Sequence, residues 1–195
     1  MTAYHYFRVA VWVFIKLFFQ TSTVMKNISL LAIACSLLLT TTVTFAQNAK
    51  PSPAATTSET LANGATITIN YSQPALKGRT MGKDVEPMED KVWRAGANEA
   101  TVFETSKDIT IDGKSLPAGK YGFFVLVHGG EWTLIFNKTW KQWGAFQYKE
   151  ADDALRVAVK AGKTKAPVER LTYTISKSGA VSLAWGNTEA TFHVR

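Results

Sequence analysis

Arg94, Asn98 and Glu99 place a guanidinium, an amide and a carboxylate within six residues, with Gly96 between the first and the second. An arginine presents a planar fork of donors that matches a carboxylate or a phosphate, while asparagine and glutamate exchange hydrogen bonds with hydroxyls. A turn at Gly96 would aim all three side chains into one concavity, with Trp93 anchored in the core, Arg94 at the floor, and Asn98 and Glu99 on the wall. The same spacing admits a second arrangement, a buried Arg94–Glu99 pair that locks the turn. A buried charge needs a partner, and this stretch supplies its own.

Other reactive groups are few. Glu99 and the Asp152-Asp153 pair have the residue types of a glycosidase acid/base couple. Asp153 therefore joins the candidate ligand-contacting residues, and a glycosidase-like hydrolase using Glu99 and Asp153 stands as the alternative function; the other reading of Asp152-Asp153 is an acidic surface turn. Beyond residue 46 the histidines are His128, in a glycine-rich turn, and His193, on an alternating segment. Neither H-x-H nor H-E-x-x-H spacing occurs, so no metal site is expected, and no G-x-S-x-G elbow marks a serine hydrolase. The single cysteine, Cys35, lies before residue 47, which leaves the rest of the chain without a thiolate nucleophile or a disulfide. Gly119-Lys120-Tyr121-Gly122 lacks the spacing of a phosphate loop. No cofactor is expected. Trp140 and Trp143 offer faces suited to stacking on sugars, with ordinary core packing as the other reading.

The elements that would position these groups read as strands. Ala65–Tyr71 alternates apolar and polar residues, as a half-buried strand does. A Pro- and Gly-punctuated loop follows over 72–82, then an acidic excursion over 84–91. Strand-like segments recur at 100–105, 109–111, 131–136, 155–159, 171–175, 181–185 and 190–194, with Asp112-Gly113 as a hairpin signal. Tyr121–Val127 is continuously apolar, the signature of a central strand covered on both faces. The segment 140–148 is aromatic-rich and irregular, 161–167 reads as a loop, and Glu150–Leu155 has room for one helical turn. About nine short strands at this spacing predict an all-β fold, an antiparallel sandwich or jelly-roll-like single domain over 60–195. Residues 47–59, rich in Pro, Ser, Thr and Ala, read as a linker.

The N-terminus carries Met25-Lys26-Asn27, an apolar run over 28–39, and Thr44-Phe45-Ala46 before Gln47. That order predicts a signal peptide over 25–46, cleaved after Ala46, and a periplasmic or secreted protein. The run is short for a membrane span, so no transmembrane segment is expected in the mature chain. A second apolar run precedes it, and residues 1–24 are read as an extension upstream of a start at Met25, with an anchoring N-terminus as the rival reading. Ala32 stands where a lipobox requires a leucine-like residue, so Cys35 is expected to remain unlipidated. The chain holds 22 Lys and Arg against 15 Asp and Glu, and three of those cations precede residue 47. The remaining bias is slight and scattered, without the basic, aromatic-interleaved stripe of a nucleic-acid binder.

Several stretches together resemble a known family. They are Tyr71-Ser72-Gln73-Pro74 with Lys77-Gly78-Arg79, then Val92 to Thr101, Leu116 to Tyr121, Trp132 to Asn137, Trp143-Gly144 and Asp153 to Val157. In order, over roughly 51–194, they are similar to domain of unknown function 2911, a family common in exported proteins of Bacteroidetes-like bacteria. Trp-Arg-x-Gly-x-Asn-Glu, at 93–99, is its most specific motif here. Gln73 stands where the family often has arginine, and Met88-Glu89-Asp90 replaces a Pro-Tyr-Gly approach. The resemblance implies no settled activity, but it groups Arg79, Arg94, Asn98 and Glu99 as a shared unit. The function expected is a non-catalytic cell-envelope module that binds a small polar ligand, a glycan or a partner.

Overall fold

The computed structural model describes residues 51–195. The expected signal peptide, the extension before it and Cys35 all lie outside the described residues. The fold is all-β. Its strands are β1 (Ala54–Thr60), β2 (Thr66–Ser72), β3 (Thr101–Thr105), β4 (Ile109–Ile111), β5 (Lys114–Leu116), β6 (Gly119–His128), β7 (Glu131–Asn137), β8 (Asp153–Val159), β9 (Ala161–Ile175) and β10 (Ala180–His193). A single 3-10 turn, Glu150–Asp152, is the helical element of the described residues, where one turn was expected. No helix among them is long and apolar enough to cross a membrane.

Six strands form an antiparallel sheet in the order β1-β2-β3-β6-β7-β8, while β9 and β10 form a long two-stranded ribbon and β4 and β5 a hairpin. Sheet and ribbon share one core. Phe103, Phe123 and Phe136 from the sheet meet Phe192 of β10, with ring centroids 5.0–6.4 Å apart, and Tyr71 of β2 meets Tyr173 of β9 edge-on at 4.6 Å. Each ring removes a large apolar area from water, and edge-to-face pairs add to that.

β6 is the internal strand its composition predicts. It pairs with β3 over Gly119–Phe123 and with β7 over Gly122–His128. Its inward residues Tyr121, Phe123, Val125 and Val127 enter the main core. Phe124, on the other face, joins Ala100 and Ile135 in a second cluster, with Leu126, Ala145 and Tyr148 packed against it. The outer cover therefore comes from the irregular aromatic segment between β7 and β8.

Three expectations need correction. The expected linker contains β1, because its hydroxyl side chains face polar side chains of β2 and form a ladder at the sheet edge: Thr56 donates to the Asn70 amide oxygen, and Ser58 with Thr68 and Thr60 with Thr66 share hydroxyl hydrogen bonds. The expected loop over 161–167 is the first half of β9. Its Pro167 is accommodated where the β9–β10 register shifts and no ladder donor is required. The expected turn at Gly186-Asn187 lies within β10, at those same shifts.

Phe123 is 1% exposed and touches rings from both layers, so Phe123→Ala is expected to lose about 3–5 kcal/mol in urea denaturation. Ser58→Ala, on the exposed ladder, is expected to stay within about 0.5 kcal/mol.

Candidate functional site

The stretch 92–101 docks on the edge of β6 beyond the end of β3. Trp93 and Val125 exchange two backbone hydrogen bonds, each 2.8 Å. The indole of Trp93 is buried, stacks on Trp185 at 5.9 Å, and donates from Nε1 to the Gly96 carbonyl at 3.0 Å. It is the core anchor that the sequence suggested. Ala95 then turns the chain with φ +49°, left-handed for a residue with a Cβ. Its carbonyl accepts two buried hydroxyls, Thr101 Oγ1 at 3.0 Å and Tyr173 at 2.7 Å. Burial pushes the Tyr173 pKa well above its ordinary value, so the phenol remains a donor. Gly96 is required by space: a Cβ there would stand 2.7 Å from Thr101 Oγ1.

The second half of the stretch receives the segment between β7 and β8. The Asn98 carbonyl accepts the Gly144 N–H at 3.0 Å, the Ala100 N–H donates to the Gln142 carbonyl at 3.0 Å, and Glu99 bridges to Trp143. Segment 138–149 is two-sided. Gln142 is buried and donates from Nε2 to the Thr139 carbonyl, while Ala145 and Tyr148 pack on the outer cluster. Trp140, Trp143 and Phe146, three residues apart, are 37%, 54% and 84% exposed. Lys120 Nζ lies 5.7 Å from the Trp140 ring centroid.

Asp153 does not line the site with Arg94; it braces this segment. Its carboxylate is nearly buried and accepts from Asn137 Nδ2 at 2.7 Å and from the Tyr148 hydroxyl at 2.8 Å, with Arg156 Nη1 at 3.5 Å. Burial, and then the Asp153 carboxylate, raise the Tyr148 pKa far above its usual value. Asn137 also donates to the Lys149 carbonyl, closing the end of the segment. With both carboxylate oxygens held in this way, Asp153 is placed to order the segment.

The other expected site residues separate. Arg79 lies exposed in the loop after β2 and folds onto that loop, donating to the carbonyls of Leu76 and Ala75. Asn98 is half-buried, has φ +61°, and donates to the Ser52 carbonyl at 3.1 Å. Glu99 is exposed, so a sealed Arg94–Glu99 pair does not form. Arg94 is half-buried. Among the described residues no carboxylate lies within ion-pairing distance of its guanidinium, and its Nε is buried without a hydrogen-bond partner. Burial lowers its pKa, an effect opposed by the negative charge of Glu86.

Sequence spacing missed one grouping. Glu89, Asp90 and His128 bring their ligand atoms within 4.8 Å of one another, all exposed, a set with the donor types for a divalent cation. The acidic loop reaches the β6–β7 turn through a Glu89–Val127 bridge. His128 shares a hydrogen bond with Asp90, and the Gly129 N–H donates to Glu89. The hydrogen bond and charge of Asp90 raise the His128 pKa. These contacts also serve as a clamp between loop and turn. Asp90 and His128 are 38 apart in sequence, and no short motif announces the group.

Asp153→Ala would leave Asn137 and Tyr148 without their acceptor. The expected result is a loss of about 1–3 kcal/mol. Amide exchange should quicken over 138–149 and remain slow in β2 and β3, read by hydrogen–deuterium exchange.

No curated protein and no solved structure matches the chain. The family model described as "Protein of unknown function (DUF2911)" matches residues 52–194, which takes in every strand of the described residues and both halves of the site. The chain therefore belongs to the DUF2911 family.

Proposed function

We propose that the protein is a non-catalytic cell-envelope module that binds a saccharide on segment 138–149. One observation carries this reading: three aromatic side chains at three-residue spacing are held outward, while the residues between them pin the segment to the sheet. A phenylalanine that is 84% exposed sacrifices burial that the fold could have used. Its neighbours are fixed by backbone hydrogen bonds to Asn98 and Ala100 rather than left on a loose loop. Fixed aromatic faces suit the C–H faces of sugar rings, because little ordering entropy remains to be lost on binding. Export to the envelope is supported by the apolar run over 28–39 and the small residues Thr44 and Ala46 before Gln47. Nothing in the geometry favours the hydrolase alternative, since the Asp153 oxygens are occupied by Asn137 and Tyr148.

Affinity electrophoresis and tryptophan fluorescence against a panel of envelope and plant oligosaccharides test the reading. Trp143→Ala is expected to weaken binding about tenfold or more, equivalent to about 1.4 kcal/mol. Absence of binding to every saccharide, or binding that survives loss of Trp143 and Phe146 together, would overturn it.

A further inference from the structure

We propose that the saccharide is anionic, with the Arg94 guanidinium receiving its carboxylate while its rings lie against the exposed aromatics of segment 138–149. This rests on the reading of that segment as a saccharide-binding surface and adds the chemical class of the ligand.

The first support is Arg94 itself. A half-buried guanidinium ordinarily ends on a carboxylate or a set of carbonyls, because removing it from water without partners is costly. Here the described residues supply no ion pair, and Nε is sealed from solvent without an acceptor. Glu86 provides the opposing negative field, but its carboxylate accepts the Met88 N–H at 2.8 Å and is committed to its own loop. A cation kept partly desolvated and unneutralised is preorganised for an anion that arrives from outside.

The second support is the neighbourhood. A Cβ on Gly144 would stand 3.6 Å from Arg94 Nη1 and 3.2 Å from Phe146 Cε2. Guanidinium and exposed ring therefore flank the same small space, and glycine keeps it open. Gly144 also has φ +64°, a conformation costly for any other residue. The third support is charge. Positions 138–149 include Lys138, Lys141 and Lys149, all exposed, and no acid. These three cations outnumber the exposed Glu99 and Glu150 that border the segment, a bias that favours an anionic glycan over a neutral one. An arginine fork also fits a phosphate, so an anionic lipid surface is the competing source of negative charge. Rings held by backbone hydrogen bonds favour the sugar, whose flat faces use them.

The test uses protein expressed from the full chain and isothermal titration with trigalacturonate and with its methyl ester, which keeps the rings and removes the charge. The free acid is expected to bind at least tenfold more tightly than the ester. Arg94→Gln should erase that preference, bringing the acid to the affinity of the ester within about twofold, and Arg94→Lys should restore part of it. The comparison of acid with ester needs no substitution, so it decides the matter even if Arg94→Gln fails to fold. Equal affinity for acid and ester, both dependent on Trp143, would overturn the anionic assignment and leave the saccharide reading standing. Failure of both sugars to bind would overturn the two together. Binding to vesicles containing phosphatidylglycerol, with no binding to trigalacturonate, would overturn the assignment in favour of a lipid surface.

Discussion

The carbonyl oxygen of Ala95 accepts one hydroxyl from each layer of the sandwich, Thr101 from the six-stranded sheet and Tyr173 from the ribbon. Much of the molecule depends on that node. An alanine at φ +49° costs about 1–3 kcal/mol, and it persists because its neighbours over-determine it. Trp93 is stacked on Trp185 and bonded to Val125 on one side, and Gly96 fits against Thr101 on the other. The Trp-Arg-x-Gly-x-Asn-Glu stretch is therefore a joint between layers before it is anything else. Its tryptophan, glycine and asparagine are explained by packing, close approach and a left-handed turn.

What that joint leaves over is what the proposed function draws on. Because Trp93 faces the core, Arg94 is carried to the other side of the backbone, where its Nη1 lies near Gly144 of the covering segment and its Nε is buried without an acceptor. The same joint offers the Asn98 carbonyl and the Ala100 N–H to that segment. Asp153 and Tyr148 tie down its far end. Held at both ends, the segment buries Gln142 and turns Trp140, Trp143 and Phe146 outward. A structural motif thus fixes one cation and three aromatic faces with little freedom left to lose.

The fold was legible where periodicity was strong. The alternation of β2 and the apolar run of β6 placed a half-buried and a central strand correctly, because burial on one or both faces writes itself into residue type. It was illegible where polar residues make strands. β1 is held by a hydroxyl ladder and the first half of β9 by pairing with β10, and neither leaves an apolar pattern. For the site, the sequence grouped Arg94 with residues that the fold places in other surroundings. Arg79 resides in its own loop, Asp153 works beneath the aromatic segment, and Glu99 is exposed. Long-range docking decides these positions, and spacing along the chain carries no trace of it. Phe146 could have been found, since an i, i+3, i+6 aromatic series with Trp140 and Trp143 was present in the irregular stretch.

The most direct test of the central claim is a crystal structure of the protein with trigalacturonate. The account predicts a sugar carboxylate within about 3 Å of an Arg94 Nη atom, with its ring against Trp143 or Phe146. A guanidinium turned to a carboxylate of the protein itself, with the sugar elsewhere or absent, would contradict it and leave the motif as scaffolding alone.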